Sequence, residues 1–184
     1  WLDAPVRLLT VAPHGVEPAE PEPGAAPTAV GRFAPSLDPR DLRVRVTSRE
    51  PAATSGTSLA EAKVVVGGGR GVGSAEGFAV LEELAGLLSG AVGVSRVATS
   101  AGWRPHAEQI GQTGLRIAPE LYIACGISGA IQHIVGCKAA KRILVINKDP
   151  DAPIMSRANW AVIGDLHEVV PAISAEIRRA TGRA

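Results

Sequence analysis

From Lys63 onward the chain repeats one unit: a short apolar run, a turn of small residues and an amphipathic stretch. No other feature restricts the fold as tightly. Residues 63–66 are a β-branched run that ends in Gly67-Gly68-Gly69-Arg70-Gly71-Val72-Gly73. Ser74 is placed to cap a helix in which Phe78, Leu81, Leu84, Ala85 and Leu88 share one face and Gly90 marks the end. Residues 91–94, 121–124, 142–146 and 161–163 read as further strands, and RILVI at 142–146 has the continuous apolar character of a strand buried on both faces. Helices are predicted over 128–135, stopped by Gly136, and from Pro171, which suits a first helical position. This alternation predicts an α/β class: a doubly wound, mostly parallel sheet.

The first sixty residues are built differently. Prolines recur from Pro5 to Pro51, and each removes a donor and fixes φ, which leaves no room for a long helix. Residues 6–11 (VRLLTV) and 42–47 (LRVRVT) read as strands, the second by its alternation of Leu42, Val44 and Val46. Residues 14–29, rich in Pro, Glu and Ala, read as an exposed extended loop, and 52–58 (AATSGTS) as a linker. Two strands and a loop cannot bury a core alone. The expected organisation is a partial β-containing segment over 1–51, the end of an N-terminal domain, then a linker over 52–60 and the α/β domain over 61–184. The chain opens with Trp1 and not Met, which is expected of a chain whose earlier part lies elsewhere.

Composition excludes several classes. With 46% hydrophobic and 20% charged residues the chain is not disordered, and with aromatics at 3% its core must come from Ala, Val, Ile and Leu. The balance of 19 Lys+Arg against 18 Asp+Glu lacks the basic footprint of a nucleic-acid binder. No apolar run approaches the roughly 18 residues of a membrane-spanning helix. Cys125 and Cys137 are too few for a disulfide framework, lack metal-site spacing and sit among apolar residues as core thiols. A reducing, cytoplasmic setting in a bacterium is expected. Trp103 and Trp160 read as packing anchors.

In a doubly wound sheet, ligands bind outside the carboxyl ends of the strands, so the residues after each strand carry the functional question. The glycine run matches neither G-x-G-x-x-G nor the P-loop; close packing and phosphate binding are equally served by it, and Arg70 favours an anion. Gly126-Ile127-Ser128-Gly129-Ala130 is the better phosphate candidate, set against a simple Ser-capped helix. Gly111-Gln112-Thr113-Gly114, taken alone, reads as a surface turn. His133 and Arg96, taken alone, are an ordinary packed histidine and an ordinary surface charge.

Taken together, KVVVGGGRGVGS, AVGVSR, GQTG, APELYIACGISGAIQH, VINKDPDAPI and IGDL resemble, in order, the Rossmann-like FAD-binding domain of electron-transfer flavoprotein alpha subunits. The resemblance runs from about Lys63 to the end, and the first sixty residues resemble the end of the family's N-terminal domain and its linker. It implies noncovalent FAD, a beta subunit as heterodimer partner, and an electron carrier without substrate turnover of its own. Electrons would pass from dehydrogenases, such as the acyl-CoA dehydrogenases of fatty acid oxidation, to a quinone reductase or another acceptor. No nucleic acid and no membrane insertion are implied. By the same resemblance Arg70 would meet phosphate, Ser95 would contact the cofactor and Arg96 would lie against the isoalloxazine ring. Gln109, Ile110, Gly111, Gln112 and Thr113 would line the flavin, with the Thr113 hydroxyl near N5. Ser128, Gly129, Ala130, Ile131, Gln132 and His133 would span pyrophosphate to ring, His133 near the pyrimidine carbonyl, while Asn147, Asp165 and Leu166 would hold the adenosine end. No role is implied for the two cysteines.

A reduced flavin gathers negative charge at its N1–C2=O edge, and a fixed cation there stabilises it. Arg96 keeps its proton at all accessible pH values, whereas His133 is expected to change charge between about pH 5 and 8. Two other readings of the same residues stay open: a nucleotide-dependent oxidoreductase with His133 as its acid or base, and an adenine-nucleotide binding module without redox work.

Overall fold

Apolar residues at both odd and even positions of the inner strands require cover on both faces of the sheet. The computed structural model describes residues 58–182, residues 31–44 and 46–48, and isolated positions at 10, 11, 16, 19, 23, 24, 26 and 29. Five strands, β1 (Val64–Gly68), β2 (Ala91–Val94), β3 (Leu121–Cys125), β4 (Ile143–Asn147) and β5 (Trp160–Ile163), form one sheet in the order β2-β1-β3-β4-β5. All four pairings are parallel. The predicted α/β class and parallel sheet are therefore what the chain adopts. Strand order reverses between β1 and β3, the place where such sheets open a crevice at their carboxyl edge.

Helices cover both faces. On one, Val66, Ile123, Cys125 and Ile146 pack against Phe78, Leu81, Leu84 and Ala85 around α1 (Ala79–Leu87) and against Leu166 and Val170 of α4 (Leu166–Thr181). On the other, Val65, Tyr122, Ala124 and Val145 meet Ile127, Ile154 and Cys137, the last residue of α3 (Ile131–Cys137). Each fully buried Val, Leu, Ile or Phe contributes about 1.5–3 kcal/mol, so the two apolar layers hold the sheet in place. Leu59 and Ala62 belong to the second layer, so among the described residues packing starts directly after the 52–58 stretch read as a linker. Among the described residues no helix is long and apolar enough to cross a membrane.

Several local expectations are corrected. Residues 42–47 contain no strand at the described positions: Asp38 caps a 3-10 turn at Pro39–Leu42, and Val44 and Val46 lie exposed. The Asp38 and Asp41 carboxylates satisfy backbone N–H groups at this turn locally, in competition with a strand ladder. The other predicted strand, 6–11, lies outside the described residues apart from Thr10 and Val11. Ser74 does accept a bond from the Gly77 N–H at 3.2 Å, but one 3-10 turn at Glu76–Phe78 precedes α1. Pro171 does not open the last helix. Asp165 caps it by accepting from the His167 N–H at 2.9 Å, and Pro171 sits inside, where the bond to the carbonyl of residue 167 is lost. Ser128 caps nothing, α3 starting at Ile131, and Gly136 lies within that helix. Trp160 is half exposed, because β5 is an edge strand without full cover, whereas Trp103 packs on the α1 face as expected.

Candidate functional site

At the carboxyl edge, the loops after β1 and β3 are pressed together. The Gly69 N–H donates to the Cys125 carbonyl and the Gly71 N–H to the Gly126 carbonyl, both at 3.0 Å. A Cβ at Gly71 would stand 2.7 Å from Gly126 Cα. The glycine run thus serves close packing, with Arg70 as its one charged side chain on the cleft that opens beside it.

That cleft encloses about 610 Å³, within the range of sites that hold a small molecule or cofactor. Arg70, Ser95, Arg96, Gln109, Ile110, Gly111, Gln112, Thr113, Ser128, Gly129, Ala130, Gln132, His133 and Asn147 all line it. Three of the residues implied by the resemblance do not. Ile131, first in α3, is 78% exposed, and Leu166 is buried in the core at 4% beneath Gly126. Asp165 faces Lys148 in a 2.8 Å ion pair that holds its carboxyl below the ordinary range.

Residues 109–117 run beside the end of β2, the Ile110 N–H donating to the Val94 carbonyl at 2.8 Å. The turn at 111–114 carries exposed Gln112 and Thr113, as a surface turn does, but it is anchored: the Gln112 N–H donates to the Gln132 carbonyl at 2.8 Å, fastening the turn to α3. Gly136, inside α3, has no room for a side chain, since a Cβ there would stand 2.3 Å from the Gly111 nitrogen. Buried Gln109 ties the turn together, its Oε1 accepting from the Thr99 hydroxyl at 2.6 Å and its Nε2 donating to Thr113 Oγ1 at 2.9 Å. Thr113 Oγ1 accepts there, which leaves its own hydrogen free to serve the cleft. On the opposite wall Asn147 Nδ2 donates to the Ile127 carbonyl at 2.9 Å and its Oδ1 accepts from the Asp149 N–H at 3.2 Å.

Two buried polar atoms on the cleft wall have no partner, Ser95 Oγ and His133 Nδ1. An unpaired buried polar atom costs about 1–3 kcal/mol, so both point to a polar ligand that completes them. His133 Nε2 is engaged, 2.8 Å from the Tyr122 hydroxyl. Burial lowers the imidazole pKa to about 4, the Ile110 backbone acting weakly the other way. His133 therefore stays neutral near pH 7 in this structure, which corrects the expected titration between pH 5 and 8. The physical reason is desolvation, for which no carboxylate beside the ring compensates. Arg70 and Arg96 make no ion pair among the described residues. Cys125 and Cys137 are buried and free, their thiols pushed up to about 12 and 11, as expected of core residues. Among the described residues no His, Cys, Asp and Glu cluster could hold a metal.

Sequence reasoning missed Val97, Ser100 and Ala152 as lining residues. The first two stand on α2 (Arg96–Ser100), and their i,i+3 spacing puts them on one face of it.

Two unpaired cations and two unsatisfied polar atoms along a crevice at a switch in strand order suit an anionic, polar ligand. Residues 58–138 match the family described as the electron transfer flavoprotein FAD-binding domain. The chain is 44% identical over 177 residues to the electron transfer flavoprotein subunit alpha of Bacillus subtilis, covering 95% of this chain and 53% of that protein. It is 46% identical over 181 residues to the subunit of the same name from Mycobacterium leprae, covering 98% and 55%. A probable mitochondrial subunit alpha of Caenorhabditis elegans is 45% identical over 174 residues, covering 95% and 51%. The chain spans about half the length of the curated relatives it matches.

Proposed function

We propose that this chain, which belongs to the electron transfer flavoprotein alpha family, holds FAD in the cleft and carries electrons without turning over a substrate of its own. The observation that carries this reading is the pair of buried, unpartnered polar atoms, Ser95 Oγ and His133 Nδ1, on the wall of a cleft large enough for a cofactor. Arg96, Gln112, Thr113 and His133 would hold the isoalloxazine end. Ser128, Gly129, Ala130 and Arg70 would hold the pyrophosphate, and Asn147 the adenosine end. FAD supplies reversible acceptance and release of electrons, and reduction adds negative charge to its ring. The chain's own part is electrostatic. The Arg96 guanidinium cannot lose its proton and stabilises an anion at every working pH. Neutral His133 offers a hydrogen bond and no charge. Thr113, already accepting from Gln109, can donate its hydroxyl hydrogen.

The names of the relatives support a heterodimer with a beta subunit. We read the redox partners as dehydrogenases, such as those acting on acyl-CoA in fatty acid oxidation, and a quinone reductase or other acceptor. The two buried free thiols fit a reducing, cytoplasmic setting. We divide the chain at residues 52–60, with the end of an N-terminal domain before them and the FAD-binding domain from 61; the burial of Leu59 and Ala62 supports a packed unit that starts close to this boundary. The decisive experiment is the visible spectrum of the purified chain after addition of excess FAD and gel filtration. A retained flavin spectrum is expected; a colourless protein that takes up ADP instead would overturn the reading.

A further inference from the structure

Gly67, the first residue of the glycine run, lies on β1 with no place on the cleft wall. A Cβ there would stand 2.3 Å from Tyr122 Oη, 2.6 Å from its Cε2 and 2.7 Å from its Cζ. The strand thus leaves a notch occupied by the end of the Tyr122 ring. Tyr122 is wholly buried on β3, and its hydroxyl has one hydrogen-bond partner among the described residues, His133 Nε2 at 2.8 Å.

We propose that Tyr122 is a positioning residue for the cleft: seated in the Gly67 notch, it donates its O–H to His133 Nε2, which fixes the Nδ1–H tautomer and presents that N–H to an acceptor atom of the bound ligand. The direction of the bond follows from what the alternative would leave behind. Were Nε2–H to donate to the phenol, the phenolic hydrogen would be stranded in a dry core, at the cost of a buried unpaired donor. Burial keeps the phenol protonated and so able to donate. Nε2 is engaged by the Tyr122 hydroxyl, which leaves Nδ1 to carry the proton of the neutral ring. Nδ1 closes no hydrogen bond within the protein, and His133 lines the cleft. A carbonyl oxygen of the flavin ring is the acceptor chemistry it fits, and this last step rests on the proposed FAD site.

The test separates the two. In chain labelled with [15N]histidine, long-range 1H–15N correlation at pH 7 without flavin should show His133 protonated at Nδ1 and bare at Nε2. Tyr122→Phe should keep the far-UV circular dichroism of the unaltered chain, populate the Nε2–H form, and bind FAD roughly tenfold more weakly, as expected for one misaligned hydrogen bond. An Nε2–H tautomer in the unaltered chain would overturn the proposal without recourse to any variant. So would a Tyr122→Phe chain that retains both the original tautomer and the original affinity. A switched tautomer with unchanged FAD affinity would overturn the presentation to the ligand. Failure of the unaltered chain to retain FAD would instead overturn the function, while the tautomer measurement still decides the role of Tyr122.

Discussion

Replacing Gly136 with Ala sets a helix rule against a packing rule, and the structure decides the sign. Within α3 the exchange should gain up to about 1 kcal/mol, the intrinsic preference of Ala over Gly. The new methyl, however, would stand 2.3 Å from the Gly111 nitrogen, 2.6 Å from its Cα and 2.9 Å from Ile110 Cγ2. The first two are backbone atoms, which cannot turn aside as a side chain can. Ordinary contact begins at 3.4 Å, so the 110–113 turn must retreat by about 1 Å. It is fastened to the helix by the Gln112 N–H on the Gln132 carbonyl at 2.8 Å, a bond that such a shift breaks. Overpacking of about 1–3 kcal/mol and a lost bond of about 1 kcal/mol outweigh the propensity gain, for a net destabilisation of about 1–3 kcal/mol. Equilibrium urea denaturation reads the stability, and FAD titration should show weaker binding, since the displaced residues line the cleft. A variant as stable as the original, with unchanged FAD affinity, would refute the reasoning.

Arg96→Ala should leave the fold intact and lower the one-electron potential of bound flavin by roughly 60 mV, about 1.4 kcal/mol, because the arginine is exposed and its charge partly screened; unchanged potentials in a redox titration would remove it from that role. His133 has a folded pKa of about 4 against 6.5 when free, so the unfolded chain binds more protons between these values. Its contribution is fully present above about pH 6.5 and is lost as pH falls toward 4, by up to about 3 kcal/mol; His133→Gln should flatten this part of a urea-stability profile measured from pH 7 to pH 4. Leu81→Ala, at a wholly buried position on the helical face opposite α3, should cost about 3 kcal/mol in urea denaturation yet leave the flavin spectrum of the folded protein unchanged. A fragment beginning at Ser58 should unfold cooperatively and retain FAD, as gel filtration and absorbance would record.

Hydrophobic period and glycine placement made the sheet readable in advance, because strand burial is written locally as runs such as RILVI, and residues 91–94 were placed to the residue. The ends of helices were less legible. Ser128 and Pro171 each obey a local preference, yet α3 begins at Ile131 and α4 at the Asp165 cap, where the packed loops and sheet set the start. The alternation of Leu42, Val44 and Val46 signals a strand only where a neighbour offers a ladder, and Asp38 and Asp41 satisfy the local backbone first.

By itself the chain's order of residues determined the class of fold and the parallel sheet, since both depend on spacing within one element and the turn after it, whereas the side chains expected at its carboxyl edge came from the family resemblance. Only the tertiary structure decided why Gly67 and Gly136 are glycine, that His133 is neutral, and that Tyr122 stands behind it. Those properties arise between segments far apart in sequence, from the distance at which two backbones meet and from the water that their contact excludes. Neither quantity has a local signature.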